Sequence, residues 1–371
     1  MRIAQIAPLI ESVPPRLYGG TERIVSYLTE ELVHMGHDVT LFASGDSMTA
    51  ARLIDCVPQA LRLDVNIKDV IPYYMLMLDR VRRHANEFDV LHFHIDQFHF
   101  PLFRHIAGRT VTTTHGRQDL PDLKPLYIGF NDMPLISISN DQRRPVPNAN
   151  FIETIYHGLP ADLHKPFFSP RGGYVAFIGR IAQEKRPDRA IQIARALGIP
   201  LKIAAKVDRA DESYFREVIA PLLEGPGVEF IGEINEQQKN EFLGEALALL
   251  FPVDWPEPFG LSMIEAMACG TPVLAFRCGS VPEVIEDGVT GIIVDNLEDG
   301  MSALPRVIAL DRRAVRQRFD ERFTASRMAK DYLGVYRSLL KQCQAESPQE
   351  DDAVGLAPDM TADAPRAHID S

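Results

Sequence analysis

The 371-residue sequence predicts an α/β protein of two halves, each a parallel sheet covered on both faces, and three observations carry that prediction. Short apolar runs alternate with helical ones along the whole chain, the pattern of parallel sheets covered on both faces. The length suits about two domains, each large enough for its own core. The stretch YHGLPADLHKPFFSPRGG, residues 156–173, is rich in Pro and Gly and lacks helical periodicity, so it reads as a linker between residues 1–160 and 170–320.

The first half opens with a strand at RIAQIAP and a helix from Gly20 to about Met35. A strand follows at HDVTLFAS, then a long helical stretch to Asn86, then strands at DVLHFH, RTVTTTH and PLISIS. The second half restarts with YVAFIG. Helices at DRAIQIARAL, ESYFREVIAPLLE, EQQKNEFLGEAL, LSMIEAMAC and SVPEVIED then alternate with strands at LKIAAKV, GVEFIG, ALLFPV, TPVLAF and GIIVD. Residues 297–343 are helical again. The last helix, about 326–342, carries Tyr332, Val335, Tyr336 and Leu339 on one face and must pack on something. The acidic, Pro- and Ala-rich tail 346–371 reads as disordered.

Charge excludes a class of partner. Lys and Arg number 39 against 51 Asp and Glu, and the resulting −12 repels polyanions, so nucleic acid is not an expected partner. Bases gather with apolar residues only in YYMLMLDRVRRHANEF, where Arg80, Arg82 and Arg83 follow a Met/Leu turn. An ordinary surface helix is the plainer reading, and peripheral contact with an anionic membrane face is the alternative. Cys56, Cys269, Cys278 and Cys343 form no CxxC pair, no run reaches a membrane span, and MRIAQIAPLI lacks the plan of a secretion signal, so a cytoplasmic location is expected.

Three stretches carry chemistry, each where a strand's carboxyl end meets a helix, which points to a cleft between the halves. In LYGGTERIV, Gly19 and Gly20 let backbone approach a ligand at a helix N-terminus, although a glycine turn with Thr21 as cap explains them equally well. In FIGRIAQEKRPDRA, a strand ends at Gly179, Arg180 follows, and Lys185 stands five residues on. The two cations suit a diphosphate, unless Glu184 and Asp188 merely balance them. In PEPFGLSMIEAMACGTPVLAF, Glu257 precedes a helix whose first amides, at Gly260, Leu261 and Ser262, are free to bind oxygens. Glu265 lies on that apolar helix, where a carboxylate needs hydrogen-bond donors such as a ribose diol, unless it caps or pairs on the exposed face. His92, His94 and His99 in LHFHIDQFHF have a spacing that can bind metal, but no carboxylate-histidine set completes it, and none is expected.

Taken together, GGTE, THG, GRIAQEK, EPFGLSMIEAMACGTPV and GSVPEVIEDGVTGIIV resemble the retaining GT-B glycosyltransferases of family four (glycosyl transferases group 1), from Met1 to about Gln342. The resemblance implies two Rossmann-like domains facing a cleft, an acceptor-binding first half, a nucleotide-sugar-binding second half, and a last helix crossing back to the first domain. It implies that Arg180 and Lys185 bind the diphosphate, Glu257 the donor sugar and Glu265 the ribose. Backbone at Phe259, Gly260, Leu261 and Ser262 would hold sugar and phosphate, Gly19 and Gly20 would approach the diphosphate, and Ile231 to Ile234 would cradle the base. His115 matches the histidine beside the transferred sugar. Lys206 departs from the commoner small residue and is expected near the phosphates. The implied reaction is metal- and cofactor-free hexosyl transfer to a hydroxyl, with the leaving phosphate taking the acceptor's proton on the same face. A sugar-nucleotide epimerase, a phosphorylase and a non-catalytic nucleotide-sugar binder remain rivals. Residues 119–132 are a candidate acceptor surface.

Overall fold

The computed structural model describes residues 1–17 and 19–346, so the expectation of a disordered tail falls almost wholly outside the described residues. The first sheet consists of β1 (Arg2–Ile6), β2 (Asp38–Ser44), β3 (Arg52–Val57), β4 (Val90–Phe93), β5 (Thr110–Thr113), β6 (Leu135–Ser137) and β7 (Phe151–Thr154), in the order β3-β2-β1-β4-β5-β6-β7. The second consists of β8 (Val175–Arg180), β9 (Leu201–Lys206), β10 (Val228–Gly232), β11 (Leu249–Phe251), β12 (Val273–Phe276) and β13 (Gly291–Val294), in the order β10-β9-β8-β11-β12-β13. Every strand pair is parallel. This is the doubly wound, two-sheet architecture the alternation predicts.

Each central strand is apolar because both of its faces are covered. In β1, Ile3 packs with Ile24 and Leu28 of the helix Gly20–His34, while Ala4 and Ile6 turn to the layer that holds Leu78 and Phe103. In β8, Val175 and Phe177 join Ile191 and Leu304, and Ala176 joins Leu243 and Met263 on the other face. The two strands absent from the reading above, β3 and β7, lie at the sheet edges. β3 interrupts the expected helical stretch, which survives as Ile71–His84, and the side chains of both strands, exposed or half-buried except for Val57, give little apolar signal.

The last helix, Ala325–Glu346, returns to the first sheet, where Tyr332, Tyr336 and Leu339 pack against Ile24, Leu28 and Leu32. Its start lies beside the earlier crossing: Leu159 N–H donates to Phe323 O (2.9 Å) and Ala325 N–H donates to Leu159 O (2.7 Å). Gly158 permits this pairing, since a Cβ there would stand 2.3 Å from Thr324 O. Because the obstacle is backbone, Gly158→Ala is expected to cost about 1–3 kcal/mol of stability, read as a lower midpoint in urea unfolding.

Strand order reverses between β1 and β4 and between β8 and β11, and ligands of open α/β sheets bind at such switch points.

Candidate functional site

The loops after β1, β5, β8 and β11 enclose one cavity of about 510 Å³ between the sheets. Gly19, Gly20 and His115 line it from the first sheet's side. Gly179, Arg180, Lys185, Lys206, Ile234, Glu257, Phe259, Gly260, Leu261, Ser262 and Glu265 line it from the second. Gly20 is close enough to the facing helix that a Cβ would lie 3.4 Å from Leu261 Cδ1, which brings the glycine loop against the start of the helix Leu261–Ala268.

Every basic side chain on the cavity wall is held by an acid. Arg180 binds Glu184 at 2.5 Å, Lys206 binds Asp208 at 3.0 Å, Lys239 binds Glu265 at 2.7 Å and Arg62 binds Glu11 at 2.7 Å. Lys185 pairs with Glu257, and Arg23 reaches across the cleft to Glu236. Two bonds meet on Glu257 Oε2, one from Lys185 and one from Trp255 Nε1 (2.7 Å), while the Lys185 ammonium lies 5.0 Å over the Trp255 ring. Such pairs hold cations in place at little net charge, and a polyphosphate can take over each one by displacing a carboxylate.

The segment GSVPEV supports the glutamate loop. Gly260, at φ 82, turns the chain into the helix Leu261–Ala268, whose first amides have no carbonyl four residues back. Ser280 N–H donates to Glu257 O (3.0 Å) and Ser280 Oγ donates to Phe259 O (2.8 Å). Glu283 extends the support across the cleft, accepting from the backbone N–H of Asn140 and of Asp141 (2.7 Å each) and from the Tyr156 hydroxyl (3.0 Å).

On the opposite wall, His115 ends a buried hydrogen-bond chain. Gln5 Nε2 donates to the Tyr336 hydroxyl (3.2 Å), and Gln5 Oε1 accepts from His94 Nε2 (2.8 Å). With Gln5 so oriented, neutral His94 accepts at Nδ1 from His115 Nε2 (2.9 Å), and His115 keeps Nδ1 as an acceptor. The returning helix thus sets the tautomer of the histidine at the cleft. His92 takes no part in metal-like geometry either, because its nitrogens meet the Tyr336 and Thr113 hydroxyls at 2.8 and 2.7 Å.

Burial drives His92, His94 and His157 well below the ordinary histidine range and pushes His99 and His115 down to about 3. The folded chain therefore excludes protons that the unfolded chain binds below about pH 6.5, so stability is full above that pH and falls as the medium is acidified. Each histidine contributes a slope of about 1.4 kcal/mol per pH unit, and urea midpoints at pH 5.0 are expected well below those at pH 7.5. His115 itself stays neutral throughout that range.

Two family models divide the chain between them. Residues 18–147 match Glycosyltransferase Family 4, and residues 162–321 match Glycosyl transferases group 1. The chain belongs to this glycosyltransferase family. Among its relatives, alpha-maltose-1-phosphate synthase of Mycolicibacterium smegmatis is 27% identical over 209 residues, 50% of this chain and 51% of that protein. The matched parts cover 51, 46 and 37% of the first three curated relatives, about half of their length or less. Sucrose-phosphate synthase from Thermosynechococcus elongatus shares the fold at a TM-score of 0.74 and 18% identity, over 92% of this chain and 99% of that one. Anabaena HepE, solved in complex with UDP-glucose, aligns at a TM-score of 0.69 and 16% identity, over 91 and 100%. These likenesses give the fold: GT-B, with its last helix crossing back.

Against the family pattern, one expected residue falls outside the cavity. Ile231 is 37% exposed on β10, and Gly232, at φ 75, turns the chain so that Glu233 and Ile234 reach the cavity instead. The surface 119–132 lines neither this cavity nor its neighbour. Thr21 does not cap its helix: Gly19 holds the cap position, with no side-chain bond. Sequence reasoning missed Trp255, Lys239 and Arg23, of which the last two act on acids far away in sequence. His164, Glu236 and Glu265 come within 4.8 Å of one another, a spacing that suits a metal, but Lys239 already bridges both glutamates and Arg23 neutralises Glu236. Burial works against the Glu236 charge, yet His164, Lys239 and Arg23 outweigh it and hold this carboxyl down at about 2.

Arg82 and Arg83 both pair with Asp79, and Arg80 lies 3.7 Å from Asp55, as on an ordinary surface helix whose buried stripe is Tyr74, Met77, Leu78 and Val81. Among the described residues no helix is long and apolar enough to cross a membrane.

Proposed function

We propose that this chain transfers a hexosyl group from a nucleoside-diphosphate sugar to an acceptor hydroxyl with retention of the anomeric configuration, without metal or cofactor. The observation that supports it best is the meeting of Arg180, Lys185 and the first amides of the helix Leu261–Ala268 on one cavity, with His115 facing them. Cations and helix amides placed where diphosphate charge grows are the means of stabilising this departure.

In this reading Arg180 and Lys185 leave their carboxylate partners for the diphosphate, and Lys206 joins them. Glu257, gripped at Oε2, offers Oε1 to a sugar hydroxyl. Glu265 accepts from the ribose beside Lys239, and His115 Nδ1 accepts from a sugar hydroxyl. Both glutamates are engaged by lysines, which disfavours either as a nucleophile. The glycosidic C–O bond to phosphate breaks, the acceptor oxygen bonds to the same carbon on the same face, and its proton passes to the departing phosphate oxygen. The UDP-glucose complex of the structural neighbour HepE makes a uridine nucleotide the first donor to try. Cys56, Cys269 and Cys278 form no disulfide, which agrees with the reducing cytoplasm this reading assigns to the chain.

The test is calorimetric titration of UDP, GDP, ADP and CDP into wild type and Glu265→Ala. The proposal expects one nucleotide to bind, at least tenfold more weakly in the variant. Binding of none, or unchanged binding in the variant, contradicts it.

A further inference from the structure

A second cavity, of about 380 Å³, adjoins the first and shares Thr21, Glu22, His115 and Gly116 with it. It is formed by the first half alone, and its size is that of a small-molecule pocket. His115 therefore stands at the boundary between the two cavities, where a hydroxyl from either side reaches it.

The walls of this second cavity have a definite chemistry. Tyr74 and Phe98 stack at 5.3 Å and 17°, presenting aromatic surface of the kind that packs on the C–H face of a sugar ring. Glu22 is buried, and Asp96 holds a left-handed backbone at φ 52, uncommon outside glycine. Burial raises the Glu22 carboxyl above its usual range, while Asp96 stands exposed at the cavity's edge. Among the described residues no lysine or arginine lines this cavity, and Arg62, on the neighbouring one, is tied to Glu11. His94 and His115, held neutral by burial, supply no positive charge.

We propose that this cavity receives the acceptor and selects a ring polyol that carries no anionic group. The inference rests on the transferase reading above and adds the acceptor's class. Carboxylates accept bonds from hydroxyl or ammonium groups, whereas a phosphate placed here would face two like charges on a wall that, among the described residues, carries no lysine or arginine. Alpha-maltose-1-phosphate synthase and D-inositol 3-phosphate glycosyltransferase carry a phosphorylated compound in their names, whereas the acceptor proposed here carries no phosphate.

Saturation-transfer NMR with D-glucose, D-glucosamine and myo-inositol, each beside a phosphorylated counterpart, tests this with and without UDP. The expected result is binding of at least one unphosphorylated probe, at least tenfold tighter than its phosphate. Asp96→Asn, which keeps a residue tolerant of the left-handed backbone, should narrow that gap, and Glu22→Gln should do the same. Equal or tighter binding of the phosphates, an unchanged gap in both variants, or binding of no probe would overturn the proposal. Loss of UDP binding with polyol binding intact would instead count against the donor reading alone.

Discussion

Replacing Lys185 by alanine is expected to lower kcat/KM for the donor by about 10²–10³-fold, the range for removing one preorganised group that faces developing charge. The structure gives a reason for an effect at the upper end. Lys185 pairs with Glu257 and lies over Trp255, so in the proposed reading its loss would remove a diphosphate cation and also free the glutamate assigned to the donor sugar. Lys185→Arg restores the charge but not the compact ammonium, and should recover binding more than turnover. The double variant with Glu257→Gln should lose less than the product of the two single effects, because the side chains act as a unit. Steady-state kinetics with the donor varied at saturating acceptor checks all three.

The second large effect is expected at a residue with no chemistry of its own. Gly279 sits at φ 54, and a Cβ there would lie 2.4 Å from Glu257 N and 2.5 Å from Glu257 O. Gly279→Ala must push the glutamate loop into the cavity or pull the Ser280 bonds apart. A displacement near 1 Å at a reacting group costs about 10²-fold in rate. The fold should survive, with a loss of about 1–3 kcal/mol from strain and overpacking. The diagnostic pattern is a cooperative unfolding curve at a slightly lower urea midpoint together with a large fall in kcat.

The cavity lining shows which of its residues a linear sequence reveals. Arg180, Lys185 and Glu257 were legible because each follows an apolar strand end, where charge or glycine stands out against a buried run. Gly279 was visible only as part of a motif; its purpose depends on the backbone of a residue 22 positions earlier. Lys239 and Arg23 gave no signal, since their acids are reached through the fold, one 26 residues away and the other across the cleft. Ile231 failed by register, as the turn at Gly232 exchanges which side chains face inward.

The fold itself was legible wherever strands are buried on both faces. It was illegible at the edges, where β3 and β7 have only partial cover and their polar residues hide the alternation. The apolar face of the final helix announced a packing partner, and the structure supplies it together with the hydroxyls of Tyr332 and Tyr336 that reach Thr113 and His92 beside the cleft.

The most direct test of the central claim is release of nucleoside diphosphate from a panel of nucleotide sugars, UDP-glucose first, with and without added polyol acceptor. One donor should be consumed, acceptor should accelerate release well beyond slow hydrolysis, the product should keep the donor's anomeric configuration by NMR, and Lys185→Ala should cut the accelerated release by about 10²–10³-fold. Nucleotide binding with no release under any acceptor, or an inverted product, would contradict it.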